Sequence, residues 1–511
     1  MKKAGIVLTA VAVVAALVTA CSSGGSSGSS SASPGTHPSA AATAKLPLTL
    51  TAKVQNHPST PFKEDWLIWN VYEKKANVKI QVSGYQGNWW ETIPLVIASR
   101  DLPDLMWMSG TDMIHKYGDE GALVNLLDHL DKMPNLAKFI QNNPNETAGM
   151  LSATGKLYIP PTKGAYAAVS SLFMYRKDIF DKHKLEQPKN YDEFYNVLKK
   201  LKELYPDSYP VTFQKLNDVL YSLTEPWGTG VGFYYNNKLK AMSYGPMENN
   251  FRDMITWVSK LYKEKLIPID FLSLDEKQRN ELVTTNKTFM VYGYLNNIDT
   301  YNTAARKTNP DYTLAGMIPP EGPGGRLSAR QSFISEGWGV TTTSKKLEDA
   351  LKLVDWQYSE AGKEALSWGL EGVTYTKVNG QNKFVDSVKD MATATRDYGL
   401  KSSGNFPWYD ENAWMSLLTK ESKEAQEIAV KYMSPSKPAP ALTKAESDSI
   451  TIKSDAISKY FEENITKFIL GNRPLSEWDD YVNGLKKLGI DDVIKVRQQA
   501  YERQQAALTK K

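Results

Sequence analysis

The sequence predicts an α/β fold of more than one domain. Strands with period-two alternation are interleaved with amphipathic helical stretches, the pattern of βαβ units on a mostly parallel sheet. At 511 residues the chain exceeds what a single hydrophobic core organises. Hydrophobic content of 41% with 23% charged side chains is that of a packed globular protein and excludes general disorder.

The first 20 residues read as an export signal. Lys2 and Lys3 open a cationic start, residues 4–20 carry no charge, and Leu17-Val18-Thr19-Ala20 lead to Cys21, the single cysteine of the chain. A plain N-terminal membrane anchor is the alternative, because the apolar run is not far below the ~20 residues that span a bilayer. Small residues followed by cysteine resemble a lipobox, with cleavage before Cys21 and a diacylglycerol on its thiol; Val18 replaces the more usual leucine. Residues 22–44 are rich in Ser, Gly and Ala and read as a flexible tether.

Folded sequence begins with the strand Leu48-Thr49-Leu50-Thr51-Ala52-Lys53-Val54, then a helical stretch at 64–76 and a strand at 78–82. A second helix at 89–99 leads to the strand Asp104-Leu105-Met106-Trp107. Ligands on such sheets bind beyond the carboxyl ends of the strands, which points to the loops carrying Tyr85, Trp89, Trp90 and Ser109-Gly110-Thr111-Asp112. Around Gly155-Lys156-Leu157-Tyr158-Ile159-Pro160-Pro161 the pattern breaks, and a new α/β segment starts at Leu172-Phe173-Met174-Tyr175-Arg176. Its helix has Asn190 as cap, Glu193 for a capping box, and an apolar stripe of Phe194, Val197, Leu198, Leu201 and Leu204. Glu225-Pro226-Trp227-Gly228-Thr229-Gly230 reads as a glycine-rich loop with an exposed tryptophan; with no Lys-Ser/Thr after it, it is no phosphate cradle. A helix at 251–266, a strand at 288–294 and a second crossing at 319–325 follow, then a strand at 337–341 and a helix at 346–358. The last third is helical, with a cap at Ser476 and a stop at Gly489.

Charge narrows the function. The net charge is +4, and removal of Lys2 and Lys3 leaves 59 basic against 57 acidic side chains. That balance gives no footprint for nucleic acid. One cysteine permits no internal disulfide, so packing alone stabilises the body. The 13 Trp and 27 Tyr are the conspicuous excess; their flat apolar faces with a polar tip suit core, sugar or peptide.

Four stretches, and the tail, carry a family resemblance. They are Ile97-Ala98-Ser99-Arg100-Asp101-Leu102-Pro103-Asp104, residues 155–160, Tyr175-Arg176-Lys177-Asp178 through Glu193-Phe194, and Leu353-Val354-Asp355-Trp356-Gln357-Tyr358-Ser359-Glu360-Ala361-Gly362 with Gly369-Leu370-Glu371-Gly372. The tail runs from Leu470-Gly471-Asn472-Arg473 to Asp479. In these the chain resembles the extracellular solute-binding lipoproteins of bacterial ABC importers, in the long carbohydrate-type branch. The resemblance implies a two-lobed, periplasmic-binding-protein-like α/β fold of type 2, each lobe a mixed, mostly parallel sheet flanked by helices, with a hinge between lobes. The expected segments are a signal at 1–20, a tether at 21–44, the first lobe at 45–165, and the second lobe at 166–318. Residues 319–400 return to the first lobe, and a helical part at 401–511 completes the second and packs across both.

The resemblance further implies a monomer, lipid-anchored at Cys21 on the extracellular side of the cell membrane. It would close on a carbohydrate ligand and hand it to ABC permease subunits, without catalysis or cofactor. For a sugar the expected platforms are Trp89, Trp227, Trp338, Trp368, Trp408, Tyr294 and Tyr375, each in a Gly- or Pro-flanked loop or at a strand end. Expected polar partners are Asp112, Arg330, Glu336, Glu371 and Asn405. Trp66, Trp69, Trp257, Trp356 and Trp478 lie inside helical patterns and are expected in the core. Some relatives carry a calcium loop where this chain reads Tyr205-Pro206-Asp207-Ser208-Tyr209-Pro210; one carboxylate cannot supply six to eight oxygens, so no metal is expected. A surface sensor or adhesion module, and a secreted glycosidase, are the rival readings. Against the glycosidase stands the absence of the common hydrolase signatures.

Overall fold

The computed structural model describes residues 47–57, 60–163, 171–329, 336–402, 404–405, 407–435 and 437–509. The signal, Cys21, the tether and Arg330 lie outside the described residues.

Two four-stranded sheets organise the chain. Strands β1 (Leu48–Val54), β2 (Val78–Gly84) and β3 (Leu105–Ser109) belong to the first. Strands β4 (Ser171–Arg176), β5 (Val211–Thr212), β6 (Phe233–Asn236), β7 (Ala241–Tyr244), β8 (Met290–Tyr294) and β9 (Leu314–Gly316) follow. The chain then returns with β10 (Glu336–Val340) and closes its strands with the hairpin β11 (Tyr375–Val378) and β12 (Gln381–Phe384). The first sheet has the order β10-β3-β1-β2 and the second β5-β8-β4-β9.

In the first sheet β1, β2 and β3 are parallel, and β10 joins antiparallel, with Trp338 opposite Trp107. The second is mixed: β5 and β8 are parallel, while β4 runs against both β8 and β9. Each sheet has its own hydrophobic core, so the body is two-lobed. Leu50, Ala52 and Val54 alternate inward from β1 and meet Trp107, Trp338 and Val354 in the first. Phe173, Phe194, Leu198, Leu201 and Trp257 fill the second, which the long helix Lys444–Leu470 covers with Ile457, Ile465 and Phe468.

Three of the resemblance stretches explain themselves as fasteners. Asp104 Oδ2 accepts from the Thr51 amide and hydroxyl, both at 2.9 Å, and its Oδ1 accepts from Ser344 at 2.6 Å. One carboxylate thereby ties β1, the start of β3 and the turn after β10. Asp355 accepts from the backbone amides of Asn135 and Leu136 at 2.8 and 3.0 Å, which satisfies the start of the helix Pro134–Asn142 from another element. In the second lobe Arg176 is fully buried, paired bidentately with Asp178 at 2.8 and 2.7 Å, bonded to Asn286, and held 4.0 Å from the Tyr312 ring centre.

Most expected elements are present, with informative differences. The stretch at 64–76 becomes a short α-helix, Leu67–Val71, continued as a π-helical turn to Ala76. The glycine-rich loop at 225–230 is a loop only from Gly228 onward; the helix Lys215–Trp227 runs through Pro226 and ends at a left-handed Gly228. Asn190 caps its helix, but Glu193 reaches the Lys189 amide, one residue before the cap. Ser476 lies in a 3-10 turn, and the helix Trp478–Lys487 starts after Glu477 without a side-chain capping bond.

Candidate ligand-binding site

Because β1, β2 and β3 are parallel, their carboxyl ends open on one edge of the first sheet. After β2, Asn88 accepts from the Trp90 amide at 3.1 Å and starts the helix Trp89–Ser99, fixing both tryptophans in its first turn. The Trp89 ring is half-buried, 6.1 Å from His57 after β1 with an interplanar angle of 30°, and meets Trp107 edge-on at 5.8 Å. Trp90 is 47% exposed. Its ring lies on Gly110 after β3, where a Cβ would come within 2.8 Å and where φ is +84°. Only glycine gives both that backbone conformation and that clearance.

Charged groups border the same edge. Asp112, exposed in the first turn of the helix Thr111–Asp119, is within electrostatic reach of Arg497 on the helix Ile490–Thr509. The Arg497 guanidinium lies 4.5 Å from the Phe233 ring centre, and its Nε is buried without a hydrogen-bond partner among the described residues. Glu336 opens β10 opposite Ser109. Burial pushes its carboxyl up to about 7, opposed by the nearby Lys401. Burial likewise pulls the Lys401 ammonium well below its ordinary value, opposed by Glu336, and the ammonium lies 3.6 Å from the Trp414 ring centre.

Beneath this edge the side chains are core. Trp338 is 2% exposed and stacks on Tyr72 at 5.4 Å. The Tyr72 hydroxyl donates to Asn405 Oδ1 and accepts from Gln357 Nε2, each at 2.8 Å. Asn405 is fully buried, and its Nδ2 has no partner among the described residues.

The expected platforms therefore divide. Trp89, Asp112 and Glu336 are brought together at the strand ends. Four aromatic expectations are corrected, because a ring so enclosed has no face to offer. Trp227 packs against Tyr191 at 5.3 Å in the second core, and Trp338 is the floor just described. Trp368 lies 4.7 Å from Phe384 and donates to Asp410 at 3.0 Å, and Tyr375 is buried beside it. Asn405 is corrected likewise to a buried partner of Tyr72. Trp408 is half-buried between Phe139 at 5.6 Å and the Lys363 ammonium at 4.5 Å. Glu371 is exposed and bridges in backbone to Tyr375, in the β11–β12 region away from the strand ends. Tyr294 ends β8 at 53% exposure, on the second sheet. Trp66, Trp69, Trp257 and Trp478 are buried in the cores, as expected.

Sequence reasoning placed Trp90 in a loop facing the site without choosing it as a platform, and it passed over His57, Lys401 and Arg497. The first two carry a legible signal, since both directly follow parallel strands. Lys401 and Arg497 carry none, because only the tertiary fold returns them to this edge. A separate groove of about 620 Å³ lies within the second lobe, between the helix Lys215–Trp227, the β6–β7 hairpin and the helix Lys444–Leu470. Among the described residues no group of three His, Cys, Asp or Glu could hold a metal. At the 205–210 turn the Lys202 ammonium donates to the Ser208 carbonyl at 2.6 Å.

Comparison with known proteins fits this architecture. The family described as bacterial extracellular solute-binding protein matches residues 51–364. The fructooligosaccharide ABC transporter substrate-binding protein FusA of Streptococcus pneumoniae serotype 4 is 24% identical over 505 residues, covering 89% of this chain and 90% of its own. Lipoprotein LipO of Bacillus subtilis is 23% identical over 445 residues, covering 80% of this chain and 83% of its own. The crystal structure of the alginate-binding protein AlgQ2 without calcium ion superposes with a TM-score of 0.74 at 27% identity, over 90% of this chain and 99% of that one.

Proposed function

The chain belongs to the bacterial extracellular solute-binding proteins, and from that premise we propose that it captures an oligosaccharide between its two lobes for an ABC permease. The observation that carries the reading is the aromatic group at the strand ends, with the exposed Trp90 ring seated on Gly110 beside Trp89 and His57. Stacked sugar C–H faces suit such rings, and Asp112 supplies an acceptor for hydroxyls. The names of relatives point the same way, since FusA is named for fructooligosaccharides and AlgQ2 for alginate.

The working cycle follows from this placement. Lobe closure buries the ligand, and each hydroxyl left without a partner in a closed cleft costs roughly 1–3 kcal/mol, which sets selectivity. The chain acts without turnover, as a monomer, and is held to the outer membrane face by lipid on Cys21. LipO's description as a lipoprotein supports the anchor. The lobes comprise residues 47–163 with 336–418, and 171–329 with the helical part from 420 onward; the packing of Tyr409, Ala413, Trp414 and Leu418 in the first core and the bond of Ser328 to Ala429 support these bounds in place of crossings at 319 and 401. Tyr294 faces the ligand from the second lobe.

Thermal unfolding of protein lacking residues 1–44, against a panel of oligosaccharides, tests the reading. A raised midpoint with the saccharide recovered intact supports it. Cleavage of the saccharide would move the chain to the glycosidase class. Labelling with palmitate that disappears in Cys21→Ala tests the anchor.

A further inference from the structure

Among the described residues the exposed aromatic rings are Trp90, Tyr221 and Tyr294. Trp90 stands at the strand ends of the first lobe; the other two belong to the second. Tyr294 closes β8, which is parallel to β5, so it stands at the carboxyl end of that pair. Tyr221 is carried by the helix Lys215–Trp227, which begins just after β5. One ion pair brings the two tyrosines to the same place. Asp218 lies one turn before Tyr221 on the helix, at a spacing that makes their side chains neighbours. Its Oδ2 accepts from the Gln214 amide at 2.8 Å and lies 3.8 Å from Arg279 Nη1. The same Nη1 reaches the end of β8, where it would lie 3.9 Å from a Cβ on Gly293, the residue before Tyr294. Arg279 is nearly sealed, with its side chain 9% exposed, whereas Asp218 keeps 27%. Asp218 Oδ1 has no hydrogen-bond partner among the described residues.

We infer that Tyr221, Tyr294 and Asp218 form the sugar subsite of the second lobe, the two rings meeting the C–H faces of the ligand and Asp218 Oδ1 accepting from one of its hydroxyls. The inference rests on the oligosaccharide reading above and adds to it the contact residues of the second lobe. Single exposed tyrosines are ordinary on a protein surface and carry no message. Two that converge on one part-exposed carboxylate, itself held by a buried arginine, are a different arrangement. Arg279 touches no ligand; it is a positioning residue that holds Asp218 from behind and supports the end of β8. Neither tyrosine ring packs on another ring among the described residues, so both keep a face to offer.

Titration calorimetry with full-length protein in detergent tests the assignment, using kestose, raffinose and trigalacturonate. With whichever of these binds the unmodified protein most tightly, Tyr221→Ala and Tyr294→Ala are each expected to weaken binding about tenfold with the melting midpoint unmoved. Tyr221→Phe and Tyr294→Phe are expected to stay within about twofold of the unmodified protein, because a ring face needs no hydroxyl. Asp218→Asn is expected to weaken binding several-fold. Unchanged affinity in either alanine variant overturns the inference and leaves the oligosaccharide reading standing, since the saccharide is still bound. So does unchanged affinity in a folded Asp218→Asn protein, or a loss in the alanine variants that comes with a lowered melting midpoint, which marks the rings as structural. Should Asp218→Asn fail to fold, the tyrosine variants decide. Binding of none of the three saccharides overturns both the inference and the reading beneath it.

Discussion

At the scale of residues, two tryptophans near the same strand ends have opposite duties. Trp90 is nearly half exposed at the strand ends, whereas Trp338, flanked by Gly337 and Gly339, is sealed against Tyr72. Trp338→Ala is expected to cost about 3–5 kcal/mol of stability, the ordinary penalty for emptying a buried aromatic site. Trp90→Ala is expected to move the melting midpoint little and to weaken saccharide binding about tenfold or more; urea unfolding and calorimetry on the same two variants separate the effects. Gly110→Ala should behave like Trp90→Ala in binding, since the added methyl group evicts the ring.

Asp104 carries a pH dependence whose sign is fixed. Burial disfavours its charged form, but hydrogen bonds from Ser344 and Thr51, with Lys346 nearby, outweigh this and hold the carboxyl below its ordinary value. Such a group contributes stability above the unfolded value near 4, and the contribution fades as the pH falls through the lower folded value. Asp104→Asn should therefore destabilise by about 1–3 kcal/mol at neutral pH. The difference from the unmodified protein should narrow in melts taken below about pH 4.

At the scale of elements, charged side chains fasten strands and helices that the chain keeps far apart. Arg176 at the end of β4 has no exposed surface and is satisfied by Asp178, Asn286 and the Tyr312 face. Arg176→Met leaves the Asp178 carboxylate without its partner and is expected to cost about 3–5 kcal/mol, read as a lowered denaturation midpoint. Helix starts were more legible than helix ends. Asn190 announces its helix because a side-chain oxygen beside an amide is a local matter. The helix ending at Trp227 was not legible as such. Pro226 stands in its last turn, and the glycines after it suggest a loop throughout; packing on Tyr191 and Trp257 keeps the turn helical.

At the scale of the whole molecule, two sheets with separate cores allow lobes that shift relative to each other. A ligand that binds only the folded protein stabilises it by about 2.7 kcal/mol at a hundred times its Kd, so the melting midpoint should rise steadily with saccharide concentration. A midpoint unaffected by saturating saccharide, with binding seen by calorimetry, would mean that the ligand does not engage the unit that melts.

By itself the sequence determined the α/β class, the order of the longer strands and helices and the family, because alternation, caps and turn residues act over a few positions. It also marked the loops that follow β2 and β3, since parallel strands send their carboxyl ends to one edge. Which rings stand free on that edge was decided only by the tertiary structure. A tryptophan between glycines reads the same whether β10 seals it against Tyr72 or a loop leaves it open, and burial depends on neighbours far along the chain. The electrostatic reach of Asp112 to Arg497 and of Glu336 to Lys401 is of the same kind: it is set by distance in space, and a distal helix and a distal turn supply the two cations.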